Sequence, residues 1–411
     1  MRSRFAGRMR DLRASDIREI LKLTERPSVI SFAGGLPAAE MFPVEQMQEV
    51  ADRVLAGNGG KALQYSTTEG HLPLRRRIAE RMNRLLGTAV NPETVLITSG
   101  SQQGLDLSGK IFLDEGDVVL CESPTYLGAI NALNVFRPRF VEVPTDDAGM
   151  VPEALESLLE SEERVKVVYV IPDFQNPTGR TWSLERRRRF MEVINRFEVP
   201  VIEDHPYGDL RFEGEPLPPL KAMDEKGLVV FLGTFSKILC PGLRIGWLAA
   251  ERSLFEKYVI VKQGADLHTS TLSQMQIATY MEMFDLEANI ERVREVYRAR
   301  RNTMVAALER ELPDDIVFTR PRGGLFVWVQ FPEDVNAREV LTECLEHDVA
   351  FVPGGAFFPN GGHENTCRLN FSAMPENRID EGVRRFAAVL RAHLERQVGT
   401  DAGEREEILV G

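Results

Sequence analysis

Short apolar runs separated by helical spacing fill the middle of the chain. VLIT (95–98), VVLCES (118–123), VKVVYVIP (165–172), VPVIED (199–204) and GLVVFL (227–232) are rich in Val and Ile and carry no polar face at period two. Strands buried on both sides read this way, as in a mostly parallel sheet covered by helices. Between them, SQQGLDLSGKIFL (101–113) and SLERRRRFMEVINRF (183–197) space their apolar residues for helices. The alternation predicts an α/β architecture. From about residue 286 the texture changes. LEANIERVREVYRARRNTMVAALEREL predicts one long amphipathic helix. FVWVQF (326–331), VAFVPG (349–354) and CRLNFS (367–372) follow it, with helices between and after. That pattern predicts a smaller α+β domain, with the long helix as the connection. The tail GTDAGEREEILVG (399–411) is polar and acidic and is expected to fray.

With 411 residues the chain is long enough for two domains and a large shared core. A net charge of -12 disfavours broad attraction to nucleic acid or anionic membrane. The basic run Arg186 to Arg189 sits in a helical pattern and reads as a solvated helix face. Cys121, Cys240, Cys344 and Cys367 are far apart and show no metal spacing, so neither a disulfide framework nor a zinc site is expected. A reducing cytoplasm is the natural location for such a chain. No apolar run is long enough to span a membrane. The N-terminal MRSRFAGRMRDLR lacks the apolar segment of a secretory signal, and Asp11 and its brevity count against an organellar presequence.

Open α/β sheets place their ligands at strand ends, and the polar residues there carry the chemistry. SGSQQ (99–103) follows VLIT and opens a helix, where free N–H groups and the helix dipole favour an anion. Ser101 and Gln102 add donors, although a serine there also serves as a plain N-cap. Asp204 ends VPVIED, three residues before Tyr207. A buried carboxylate needs a cationic or donor partner, either an arginine or a protonated ring nitrogen. Asn176 lies in NPTG (176–179) after another apolar run; as a turn this needs no function. In GTFSKILCPGLR (233–244) one lysine follows a buried run. Lys237 reads as a snorkelling surface residue or as an amine held for covalent chemistry with a carbonyl. Ser236 and Arg244 on the same loop suit the phosphate of a phosphorylated aldehyde.

Together NPTG (176–179), ED-x-P-Y (203–207) and SK-x(6)-R (236–244) resemble the fold-type I pyridoxal-phosphate aminotransferases, and the match covers nearly the whole chain. IREILKLTERPSVISFAGGLPAAEMFP (17–43), LQYSTTEGHLPLR (63–75), TSGSQQGLDL (98–107), KQGADLHT (262–269) and PGGAFFPNGG (353–362) look like the branch that contains bacterial 2-aminoadipate aminotransferase and its broad-specificity relatives. The resemblance implies an N-terminal arm (1–45) on the small domain, a large cofactor domain (46–290) with a mostly parallel seven-stranded-type sheet, a small domain (291–398) and a tail (399–411). It also assigns roles. Lys237 would hold pyridoxal 5'-phosphate covalently and then act as general base. Asp204 would pair with the ring nitrogen, Asn176 and Tyr207 with the ring hydroxyl side, and Tyr126 would stack on the ring. Ser101, Gln102, Ser236 and Arg244 would hold the phosphate. Tyr65 would reach the phosphate of a neighbouring subunit, which implies a homodimer with shared active sites.

For the substrate, Arg368 in CRLNFS would clamp the α-carboxylate beside Asn176, and Gly34 and Gly35 would let backbone approach closely. Arg18 would meet a distal carboxylate or swing aside for apolar side chains; a solvated helix arginine is the plainer reading. One position departs from the pattern: His205 stands where ED-D-P-Y is common, either as packing or as a local charge beside the ring. The implied reaction moves the amino group of 2-aminoadipate, or of a branched-chain or aromatic amino acid, to a 2-oxo acid such as 2-oxoglutarate, by a ping-pong mechanism. A carbon–sulfur lyase or decarboxylase on the same frame is the first rival. A ligand-sensing domain of a transcription regulator is a remote one, because only about thirty residues precede SFAGG, against roughly fifty for a small domain.

Overall fold

A computed structural model describes residues 4–10, 26 and 28–410, the side chains of Arg10 and of residues 398–410 excepted. Arg18 and the helical stretch expected around it lie outside the described residues.

The central sheet has seven strands: β1 (Val95–Thr98), β2 (Val118–Glu122), β3 (Arg139–Val143), β4 (Val165–Val170), β5 (Val201–Asp204), β6 (Val229–Thr234) and β7 (Gly246–Ala249). Their spatial order is β1-β7-β6-β5-β4-β2-β3. All neighbours pair in parallel except β7, which runs antiparallel to both β1 and β6. The expected α/β fold with a mainly parallel sheet is therefore what the chain adopts. Alternate side chains enter cores on opposite faces. Leu96 and Leu232 join a core continuous with the second sheet, while Val95, Ile97 and Phe231 join one on the other side. Each fully buried aliphatic side chain of this kind is worth roughly 1.5–3 kcal/mol.

The second sheet is smaller: β8 (Val317–Phe318), β9 (Phe326–Gln330), β10 (Val352–Pro353) and β11 (Thr366–Asn370), in the order β8-β9-β11-β10. The 26-residue helix Leu286–Glu311 leads to it. Asp285 caps that helix, accepting from the N–H of Glu287 at 2.9 Å and of Ala288 at 3.1 Å; such a cap is worth about 1 kcal/mol. Near the N-terminus, Ile30–Ser31 pairs in parallel with Val349–Ala350.

Two expectations change. The polar tail continues the last helix, Glu376–Val410, rather than fraying; from Gln397 to Val410 it holds no proline and five of its residues are Ala, Glu or Arg, good helix formers. The arginine run is not one solvated face. Arg188 and Arg189 are exposed, but Arg187 is fully buried and its Nη2 donates to Asp173 at 2.8 Å. Helical spacing explains it: Arg187 stands three, four and seven residues before Phe190, Met191 and Ile194, which fill the core on that face.

Candidate active site

Six strands, five of which lead to site residues, end at one edge, and the antiparallel β7 begins there. That single fact gathers residues from distant parts of the sequence. β1 leads to Ser101 and Gln102, β2 to Tyr126, β4 to Asn176, β5 to Asp204 and Tyr207, and β6 to Ser236 and Lys237; Arg244 immediately precedes β7. All of them line one cavity of about 370 Å³, joined by Arg368 from β11, Phe326 from β9, and Gly35 and Leu36. Gly34 is buried beside Gly35 and is not in the wall. Tyr65 is outside the cavity and 79% exposed.

The floor is polar and tightly held. Asp204 is buried; its Oδ2 accepts from the Tyr169 hydroxyl at 3.0 Å, and its Oδ1 has no hydrogen-bond partner. Burial pushes the Asp204 carboxyl up to about 7, partly offset by the Tyr169 hydroxyl and by the charge of His205. Across the cavity, Lys237 Nζ donates to the Gly35 carbonyl at 2.7 Å. Burial, and then the positive charges of Arg368 and Arg244, push this amine down to about 8. Asn176 connects two walls: its Nδ2 donates to the Tyr207 hydroxyl at 3.3 Å and its Oδ1 accepts from Arg368 at 2.8 Å. The second arm of the Arg368 fork donates to the Ala33 carbonyl at 2.7 Å, and its Nε is buried without a partner. The guanidinium lies 4.2 Å from the centre of the Phe326 ring and 5.0 Å from that of Phe357. Burial lowers its pKa to about 10.

One end of the cavity is a cradle for an anion. Gly100 takes φ 77° just before the helix Ser101–Phe112, a conformation open to glycine. A Cβ there would stand 2.6 Å from the Arg244 guanidinium, and a Cβ on Gly246 would stand 2.7 Å from the backbone of Gly100 and Ser101. The two glycines let the helix start, the β7 start and Arg244 close around one point. Arg244 is itself left-handed, at φ 53°, strain of the kind that clusters at working sites. Ser236 is fixed by Thr234, whose hydroxyl donates to it at 2.9 Å and accepts from its N–H at 3.1 Å. Gln102 donates to the Gly128 carbonyl at 2.8 Å, bracing the helix start against the segment after Tyr126.

Such a site can capture an aldehyde on an amine of lowered pKa, meet a protonated ring nitrogen with a free carboxylate lone pair, hold a phosphate on a helix N-terminus, and take a carboxylate on a guanidinium fork. The donor set fits the phosphorylated ring aldehyde expected from the sequence. Residues not foreseen are Tyr169, Thr234 and Phe326. The first had a signal: a phenol in the aliphatic run VKVVYVIP needs a hydrogen-bond partner. His205, one residue beyond Asp204, is buried outside the cavity, against Phe231 with ring centres 5.0 Å apart.

Residues 29–386 match the family described as aminotransferase class I and II. The chain is 47% identical to the 2-aminoadipate transaminase of Thermus thermophilus, over 95% of this chain and 96% of that one. It is 45% identical to aromatic-amino-acid aminotransferase 1 of Thermococcus litoralis, over 95% of each. Among solved structures, the alpha-aminoadipate aminotransferase LysN of Thermus thermophilus, complexed with N-(5'-phosphopyridoxyl)-L-leucine, superposes with a TM-score of 0.89 at 44% identity, covering 95% of this chain and 98% of that one.

Proposed function

The chain belongs to the class I and II aminotransferases, and from that premise we propose that it draws amino groups from 2-aminoadipate and from branched-chain or aromatic amino acids and passes them to 2-oxoglutarate by a ping-pong mechanism. It is a transaminase, and its cofactor is pyridoxal phosphate. The observation that carries the site assignment is the pairing of a low-pKa amine, Lys237, with the half-partnered carboxylate of Asp204 across one cavity. The breadth of donors is supported by the names of the relatives and by the apolar wall of Leu36, Tyr126 and Phe326 beside a single carboxylate clamp.

Pyridoxal phosphate, when bound, supplies an aldehyde that takes up the donor's amino group and a protonated ring that draws electrons from the donor Cα. The residues do the rest. Ser101, Gln102, Ser236 and Arg244 would hold the phosphate, Tyr126 would face the ring, and Asp204 would keep the ring nitrogen protonated. Tyr207 and Asn176 orient the ring from its hydroxyl side. Arg368 Nη1 and Nη2 exchange Asn176 and Ala33 for the substrate α-carboxylate, which fixes the donor Cα near Lys237. Lys237 Nζ would then take up the Cα proton and deliver it to the carbon that carried the aldehyde, so that the amino group stays behind when the 2-oxo acid leaves.

The test is the half-reaction. Protein loaded with pyridoxal phosphate receives L-2-aminoadipate, L-leucine or L-phenylalanine alone, and the cofactor's visible band is followed. Each donor should bleach the band, and 2-oxoglutarate should restore it. Release of pyruvate and ammonia from an S-alkyl-L-cysteine, with no acceptor present, would make the enzyme a lyase instead. Arg368→Gln should raise KM for every donor by roughly 10²-fold, the cost of losing a charge-assisted fork; an unchanged KM removes the clamp assignment.

The proposal includes a homodimer. Tyr65 and Leu63 are 79% and 73% exposed, a poor fate for a tyrosine and a leucine two residues apart on a free surface, and Tyr65 is read as reaching the partner's phosphate. Sedimentation velocity of the active enzyme at micromolar concentration should give a dimer, and Tyr65→Phe should weaken cofactor retention. A fully active monomer would end this part of the proposal.

A further inference from the structure

His205 begins a buried chain of charge that the chemistry above does not use. Residues alternate in direction along β5 and its extension, so Glu203 and His205 point away from the cavity while Asp204 points into it. His205 Nε2 lies 3.4 Å from Asp173 Oδ2. Asp173 Oδ1 accepts from Arg187 at 2.8 Å and from Arg211 at 2.9 Å. The imidazole is held in place: a Cβ on Gly208 would stand 2.1 Å from Nε2, so only glycine there admits the ring. We propose that His205, as an imidazolium held by Asp173, is a positioning residue that drives the proton shared by Asp204 and the cofactor's ring nitrogen onto the nitrogen.

The sign follows from place. A cation behind the carboxylate is nearer its oxygens than the ring nitrogen, so it favours the carboxylate with the proton on nitrogen. The groups facing His205 support its charge. Asp173, Glu203 and Asp209 are acidic; Arg187 and Arg211 oppose it but are engaged by Asp173 Oδ1, and Asp209 is held by Arg81. Burial works against the imidazolium, and contact with Asp173 outweighs it, leaving the pKa of His205 raised. The inference rests on Asp204 being the partner of the ring nitrogen.

The probe is pyridoxal phosphate labelled with ¹⁵N in the ring, bound to the enzyme at pH 6.5, where a His205 pKa raised above its ordinary value keeps the imidazole charged, and read by nuclear magnetic resonance. In the unaltered enzyme the signal should sit at the protonated position. His205→Phe keeps an aromatic ring against Phe231 and removes the charge; its signal should move toward unprotonated pyridine, and kcat should fall roughly tenfold at nearly constant KM. His205→Lys restores a charge without the ring and should recover both. An unmoved signal in His205→Phe overturns the proposal, and so does an equal shift in His205→Lys, which would make packing the cause. If His205→Phe does not fold, His205→Asn, smaller and neutral, is read by the same two criteria. An unprotonated nitrogen in the unaltered enzyme would instead sink the reading of Asp204.

Discussion

Lys237→Ala should leave a folded protein that turns over at least about 10⁴-fold more slowly. The fold has little to lose. The side chain ends in a cavity, makes one hydrogen bond to the Gly35 carbonyl, and carries a charge that its surroundings disfavour. The chemistry loses its only amine in the cavity wall among the described residues. Borohydride treatment of the loaded enzyme should fix the cofactor's mass on the peptide containing Lys237, and leave no such adduct on the variant. In the cofactor-free enzyme the amine titrates near 8, so capture of pyridoxal phosphate should quicken as pH rises through that value. Turnover surviving in Lys237→Ala, or an adduct on another lysine, would overturn the assignment.

The second large effect separates stability from function. Asp204→Asn should stabilise the cofactor-free protein at pH 8 while reducing turnover roughly 10³-fold, the scale of removing one member of a buried ion pair. The folded carboxyl titrates near 7, against about 4 for an unfolded aspartate. A folded pKa above the unfolded one contributes stability fully present below pH 4 and lost as pH rises through 7. At pH 8 the ionised carboxylate therefore costs the fold roughly 2–4 kcal/mol, and an amide removes that cost while still accepting from Tyr169. Melting curves of the two cofactor-free proteins should diverge between pH 4 and pH 8, the variant being the higher. Superimposable curves at pH 8 would mean that Asp204 stores no such cost, and unchanged turnover would mean that it does not serve the ring.

Much of this was legible before any coordinates. Five strands of the central sheet were visible because burial on both faces leaves unbroken Val and Ile runs. RFVEV at β3 escaped because it is an edge strand with Arg139 exposed, and GWLA at β7 because four residues after a proline-containing loop carry almost no periodic signal. Lys237 and Asp204 were visible as charges attached to apolar runs, and Arg368 through the family resemblance alone. Tyr169 and Thr234 were not singled out, since their roles depend on which strands lie side by side, a property of topology. Arg187 shows the opposite failure: a block of four arginines averages to a solvated face, while the helix turns each residue toward a different environment.

The reversed strand β7 has a consequence for how the enzyme comes into being. β1 pairs with no strand of the sheet but β7, so Gly100 and Ser101 join the hydrogen-bonded sheet only once the chain has run on to Gly246. Lys237, Asp204 and Asn176 all precede that point. During synthesis the reactive amine and its opposing carboxylate emerge before β7, and the grip on phosphate closes only when β7 pairs with β1, a contact of very high sequence separation and correspondingly slow formation. Capture of the cofactor is thus a record of a finished sheet, and a chain caught before that stage has the reagents without the handle.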